Sequence, residues 1–265
     1  AGSAIYSAVR LSFYNIRGFG WRLGGLLLLT LSLTRCAGGA KHPNATTSGE
    51  GDKLVAAGIA QTEAGNYALA ESLLERGVAV SKRERGPDAL ETANALTSLA
   101  NVYSAQLKFT AADIAIQSAI AIEAKTPGWL DSEQAAFTLL SRGANSERLG
   151  ECHFARIELE AAEKTFSRLF GPESVHVSVA MGARARCLIQ QHQTAEAEAL
   201  LKHVIAIRER SLGGSAWAVG SGYKDLAVCH LAQWRVADAE REILRALAIL
   251  EGSLGPEHPR VAEAL

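Results

Sequence analysis

Apolar residues recur along most of this chain at intervals of three and four, the spacing of one face of an α-helix. Leu96, Leu99, Ala100 and Tyr103 make one such run, and Ala112, Ile116, Ala119 and Ile120 make the next, with a short break at 106–110 between them. Two adjacent runs of this kind predict a hairpin of two antiparallel helices. The pattern then repeats. Gly86, Gly128, Gly171, Gly213 and Gly255 mark successive units at steps of 42 residues, with one step of 43. Sixteen residues before each glycine stand Ala70, Ala112, Ala155, Ala197 and Ala239, and twelve residues before those stand Gly58, Ala100, Gly143, Ala185 and Ala227. Four residues after each alanine comes an aliphatic: Leu74, Ile116, Leu159, Leu201 and Ile243.

A period of this length predicts a solenoid in which each unit packs only on its neighbours. The small residues fall where two helix backbones would pass closest, and a larger side chain there is expected to cost about 1–3 kcal/mol by overpacking. Gly86-Pro87-Asp88, Gly171-Pro172-Glu173 and Gly255-Pro256-Glu257 punctuate the units. Glycine is expected to end one helix at positive φ, and proline to open the next at a position that needs no donor.

Small residue, alanine twelve on and an aliphatic four beyond is a pattern that resembles the tetratricopeptide repeat. The 42-residue step, the turn and helix 254–265 (LGPEHPRVAEAL) and the helix end ALAIL are similar to the kinesin light chain type of that family. The resemblance implies an all-α, right-handed superhelical solenoid of antiparallel helix pairs. Five repeats, at about 52–86, 87–128, 129–171, 172–213 and 214–255, would be followed by a truncated sixth helix at 256–265. Three departures stand out. Thr97-Ser98 and Lys224-Asp225 replace the paired asparagines of kinesin light chains, Glu163 and Lys164 degrade the third repeat, and no carboxylate clamp of the chaperone-binding type is assembled.

The resemblance also implies that the first helix of each pair lines a concave groove. By register that groove would hold Val55, Ile59, Thr97, Asn101, Leu140, Ala144, Gly182, Arg186, Lys224 and Val228, with Arg148 and Gln190 one turn further on. Arg148, Arg186 and Lys224 are spaced by 38, one repeat less one helical turn, and would draw a diagonal basic stripe. Such a stripe suits acidic side chains or a carboxylate of a partner peptide, with Thr97, Asn101 and Gln190 beside it, because arginine presents a planar fork to carboxylate. The alternative is a set of ordinary solvated charges, offset by Glu147 and Asp225.

Bulk properties narrow the function. The net charge of −1 hides a basic first segment: residues 1–49 carry five Lys or Arg and no acid, leaving the repeats mildly acidic. A nucleic-acid partner is disfavoured, since phosphate binding needs a basic surface. Arg10, Arg17 and Arg22 precede the uncharged run Leu23–Leu33 and then Cys36-Ala37-Gly38-Gly39-Ala40, the order of an export signal. Residues 1–36 thus read as an export signal or lipoprotein-like leader and 37–51 as a flexible linker. Cys36 is the candidate for lipidation and membrane tethering, with cleavage after Ala40 the competing outcome. This places the protein in a bacterial periplasm or envelope, or in the cytoplasm if the start is mis-assigned.

Seven histidines show no i, i+4 pairing, and the chain has no CxxC, phosphate loop or GxSxG. No catalytic residue, metal ligand or cofactor is expected. Cys187 and Cys229 occupy equivalent places in adjacent repeats, too far apart to be bridged. The expected activity is that of a protein-interaction scaffold. The other reading is a regulatory or targeting part of a larger enzyme, because the sixth unit is incomplete and would leave Val261 and Leu265 facing water.

Overall fold

The computed structural model describes residues 49–265. The leader expected at 1–36, its Cys36, and all but the end of the 37–51 linker lie outside the described residues. The helices form consecutive pairs: α1 (Glu50–Glu63) with α2 (Tyr67–Glu84), α3 (Leu90–Ala105) with α4 (Phe109–Glu123), α5 (Glu133–Arg148) with α6 (Cys152–Phe170), α7 (Val175–Gln190) with α8 (Thr194–Leu212), and α9 (Trp217–Ala232) with α10 (Val236–Leu254). A short α11 (Pro259–Ala262) follows. Helix α1 begins at Glu50, inside the expected linker, where the Asp52 side chain accepts from the Gly49 amide at 3.1 Å.

Each helix packs on its pair mate and on the next pair, and the first helices also touch one another in series: α1 on α3, α3 on α5, α5 on α7, α7 on α9. The second helices make no comparable series among the described residues. A stack in which one set of helices touches and the other splays must curve, with the first helices on the inner side. This is an all-α solenoid.

The recurrent small residues sit at the pair crossings. Ala70, Ala100, Ala112, Ala155, Ala185 and Ala197 are wholly buried, and Ala227 and Ala239 nearly so. At Gly58 an added Cβ would lie 2.5 Å from Leu74 Cγ, and at Gly143 one would lie 2.7 Å from Leu159 Cγ. The small position of the first helix is thus the socket for the aliphatic sixteen residues later.

The turns differ from expectation in where proline sits. Pro87, Pro172 and Pro256 lie in the loop itself, and each helix starts four residues after the glycine, so they are not at the first helical position. Two of the starts are capped by a serine side chain, Ser132 accepting from the Ala135 amide at 3.1 Å and Ser174 from the Val177 amide at 3.4 Å, whereas the start after Pro87 has no side-chain cap. Only α11 opens on its proline, Pro259. The single 43-residue step is also explained. Its extra residue enlarges the loop after Gly128, which coils into a 3₁₀ turn at Trp129–Asp131 before α5.

Val261 is not on a water-facing end. It is 1% exposed and packs with Leu250 and Ala264, whereas Leu265 is exposed. Arg260 stacks on Trp217, its guanidinium carbon 3.8 Å from the ring centroid. The same segment reaches the first repeat: His258 Nε2 lies 3.1 Å from the Glu63 carbonyl oxygen. The segment at α11 therefore touches the α1–α2 turn and joins the last described repeat to the first.

Candidate functional site

The inner face of the first helices carries the polar residues that the register singled out. Thr97, Arg186 and Lys224 are buried, and Asn101, Arg148 and Gln190 are partly exposed. Thr97, on α3, donates to the Ala93 carbonyl and lies 3.1 Å from Thr138 Oγ1 on α5; the Thr138 hydroxyl in turn reaches Glu123 Oε1 at 2.7 Å. Thr97 therefore belongs to the α3–α5 seam rather than to an open groove. Burial raises the Glu123 carboxyl above its ordinary range, against the pull of Thr138 and Gln134. Asn101, in contrast, stays partly exposed.

One turn on, Arg148 Nη1 donates to the carbonyl and hydroxyl oxygens of Ser104 at 3.2 and 3.0 Å. Enclosure of its guanidinium lowers its pKa to about 10, with the neighbouring Arg186 charge adding to the shift and Glu147 opposing it. Arg186 is 6% exposed and bridges two helices at once: Nε to Glu147 Oε2 and Nη1 to Asp225 Oδ2, each at 3.1 Å. Burial alone would lower its pKa, but the two carboxylates outweigh that and hold it raised. Its third nitrogen, Nη2, is buried without a hydrogen-bond partner. Gln190 Nε2 donates to the Glu147 carbonyl and Oε1 at 3.2 and 2.9 Å. Lys224 is 8% exposed, its Nζ 3.2 Å from Glu263 Oε2 beyond α11.

The stripe read from the 38-residue spacing is thus neither open nor solvated. Carboxylates of the chain itself occupy Arg186 and Lys224, whereas Arg148 donates to Ser104. Spacing on first helices could place Arg148, Arg186 and Lys224 near one another, but it could not show that Glu147, Asp225 and Glu263 would close on Arg186 and Lys224. Arg208 was not singled out. It is 1% exposed on α8, and donates to Ser178 Oγ, the Ser178 carbonyl and the Ala218 carbonyl at 3.2, 3.2 and 2.8 Å. The available signal is the helical glycine that makes room for it, Gly182, whose added Cβ would lie 3.3 Å from Arg208 Nη2.

Residues 52–123 and 134–210, more than half of the chain, match the tetratricopeptide repeat family. The chain belongs to the tetratricopeptide repeat family. Similar solved structures include BtubC (BKLC) from P. vanneervenii, with 20% identity over 75% of this chain and 78% of that one and a TM-score of 0.58. Another is that of the nearly identical TPR-like repeats of a Podosopora anserina protein designated a kinesin light chain, with 20% identity over 75% and 94% of the two chains and a TM-score of 0.54. At this identity the likeness shows the fold alone. No curated protein sequence matches the chain.

The array shares its fold with these solved tetratricopeptide-type repeats. In its third repeat, where the pattern is degraded, Glu163 pairs with Arg184 of α7. Among the described residues no helix is long and apolar enough to cross a membrane, and no group of three His, Cys, Asp or Glu side chains is placed to hold a metal ion.

Proposed function

We propose that this tetratricopeptide array is a protein-interaction scaffold that takes an acidic segment of a partner on its inner face. Tetratricopeptide repeats generally mediate contacts between proteins. The observation that supports an acidic segment is the Lys224–Glu263 pair. Glu263 lies beyond the short α11 and is partly exposed, so a partner carboxylate that displaced it would inherit a cation already shielded from water. Desolvated, charge-assisted contacts of this kind are stronger than exposed ones.

The test is titration of the full chain with a fluorescent acidic peptide and with its lysine-substituted counterpart, at two salt concentrations. The acidic peptide alone is expected to bind, more weakly at high salt. Glu263→Gln is expected to tighten binding by removing the competing carboxylate, and Lys224→Gln to weaken it. Equal binding of both peptides, or indifference to both variants, would defeat the reading. Export through the first segment remains part of the proposal, and labelling the expressed chain for lipid, with Cys36→Ser as control, tests it.

A further inference from the structure

Repeat symmetry sets one residue of each first helix against the first residue of the preceding second helix. Asn145 Nδ2 donates to the Phe109 carbonyl at 3.2 Å, and Cys229 Sγ donates to the Thr194 carbonyl at 3.3 Å. Between them in register stand Cys187 on α7 and Cys152 at the start of α6. Only at this junction, among the described residues, are both partners cysteine. The two thiols are near enough to perturb one another, and Cys152 Sγ donates at 3.1 Å to Gln190 Oε1, one turn beyond Cys187. Both side chains are buried in one apolar cluster.

The pair is not sealed off. A polar cleft of about 280 Å³ opens beside it, lined by Cys187 together with Arg156, Glu160, Arg184, Leu188 and Gln191. Glu196 lines it as well, and Arg156 pairs with Glu160 and Arg184 with Glu163, so its walls are polar and of mixed charge.

We propose that Cys152 and Cys187 are an oxidisable pair, converted by a low-molecular-weight disulfide such as oxidised glutathione into a disulfide that clips the third repeat to the fourth. The Cys187 sulfur, as thiolate, attacks one sulfur of the small disulfide and expels the first thiolate. The Cys152 sulfur then attacks Cys187 in that mixed disulfide and expels the second. The two protons lost by the cysteines are taken up by the two leaving thiolates, so one disulfide is reduced as one is formed. Burial raises both thiols above their ordinary value, which keeps the thiolate scarce and makes the exchange faster as pH rises.

The experiment uses the full chain with Cys36→Ser, incubated with oxidised glutathione at neutral and at raised pH, then alkylated and mapped by mass spectrometry. The expected product is a peptide pair joined through Cys152 and Cys187, with Cys229 alkylated. Cys152→Ser is expected to stop at a stable glutathione adduct on Cys187, and Cys187→Ser to give no joined pair. The oxidised chain is expected to show a higher urea midpoint that a dithiol reductant reverses, since the bridge restricts the unfolded chain. Three results would each overturn the proposal: both thiols unmodified at raised pH, a glutathione adduct on Cys187 that persists with Cys152 intact, or joining to Cys229 as often as to Cys152.

Discussion

Arg186 on α7 and Asp225 on α9, 39 residues apart, meet at 3.1 Å with their side chains almost wholly shielded from water. Glu147 on α5 completes the bridge from the other side. One guanidinium thus ties three successive first helices across the inner face. Removing one member of a buried ion pair leaves uncompensated charge and costs about 3–5 kcal/mol, whereas replacing the whole set with apolar groups of similar volume is often neutral. Arg186→Leu is therefore expected to lower the unfolding free energy by about 3–5 kcal/mol. Arg186→Met combined with Glu147→Leu and Asp225→Leu is expected to recover most of it. Urea denaturation of the single and triple variants checks both, and a triple variant as unstable as the single one would contradict the account.

The Gly143 socket offers a packing test. A methyl group at position 143 would meet Leu159 Cγ at 2.7 Å and the Ala155 carbonyl oxygen at 3.2 Å. Overpacking by one methyl costs typically about 1–3 kcal/mol. Gly143→Ala is expected to destabilise within that range, and Leu159→Ala to destabilise by opening a cavity. The double variant should be more stable than the sum of the two losses, with a coupling of about 0.5–3 kcal/mol in a double-mutant cycle. Simple additivity would mean that the two positions do not share the crossing.

Backbone strain separates glycines that look alike in sequence. Gly171, Gly213 and Gly255 have φ of 88, 84 and 86 with ψ of 155, 151 and 154, a region essentially restricted to glycine. Gly128 has φ 72 and ψ 16, ordinary left-handed backbone that asparagine adopts readily. Gly213→Asn is therefore expected to cost about 1–3 kcal/mol and Gly128→Asn clearly less. Since no atom lies within 4 Å of an added Cβ at either position, the difference isolates the backbone. Leu107 and His192 hold φ of 61 and 62 in turns where Gly65 and Gly150 stand in other repeats. His192→Gly is expected to raise the thermal midpoint by relieving that strain.

How much of this was readable beforehand depended on whether repetition carried the signal. The period, the helix pairs and the small residues at the crossings are copied from unit to unit, so Ala112 or Ala197 could be placed from spacing alone. The ion pairs are not periodic. Glu147, Asp225 and Glu263 come from different registers, and their pairing with Arg186 and Lys224 depends on the angle between neighbouring helices, which no linear spacing encodes. The Cys152–Cys187 juxtaposition escaped for a related reason: equivalent cysteines in adjacent repeats, Cys187 and Cys229, drew the comparison, whereas the true neighbour sits on the second helix of the preceding repeat. The 43-residue step was legible as a number but not as a 3₁₀ turn.

Acid and base should act on two glutamates in opposite senses. Glu123 has a pKa raised by burial above its ordinary 4.5, so the folded state favours the neutral form. Its contribution is greatest below about 4.5 and is lost as pH rises through the raised value. Glu198 is held down to about 2, chiefly by the Lys202 hydrogen bond and also by Gln233 and Arg235. Its contribution is present above about 4.5 and is lost as pH falls toward 2. The urea midpoint of Glu123→Gln should therefore gain on the parent as pH rises from about 4 to 8, whereas that of Glu198→Gln should approach the parent as pH falls. Parallel curves for either variant would remove that glutamate from the account.

The junction between the last described repeat and the first can be opened without touching any charged group. Pro259 packs on the α1–α2 turn so tightly that a Cβ on Gly65 would lie 2.7 Å from its Cδ, and the Gly65 φ of +79 adds backbone strain to any larger residue. Gly65→Val should therefore push α11 off the first repeat, breaking the His258 contact with the Glu63 carbonyl that spans 195 residues of chain. Because α11 packs on α10 through Val261 and Leu250, the segment should stay helical while the two ends separate. Small-angle scattering is expected to show a larger radius of gyration with unchanged far-ultraviolet dichroism. Proteolysis of the turn at 255–259 should accelerate as well, since His258 and Pro259 would lose their contacts with the first repeat. An unchanged radius together with unchanged proteolysis would mean that the ends are not joined in solution.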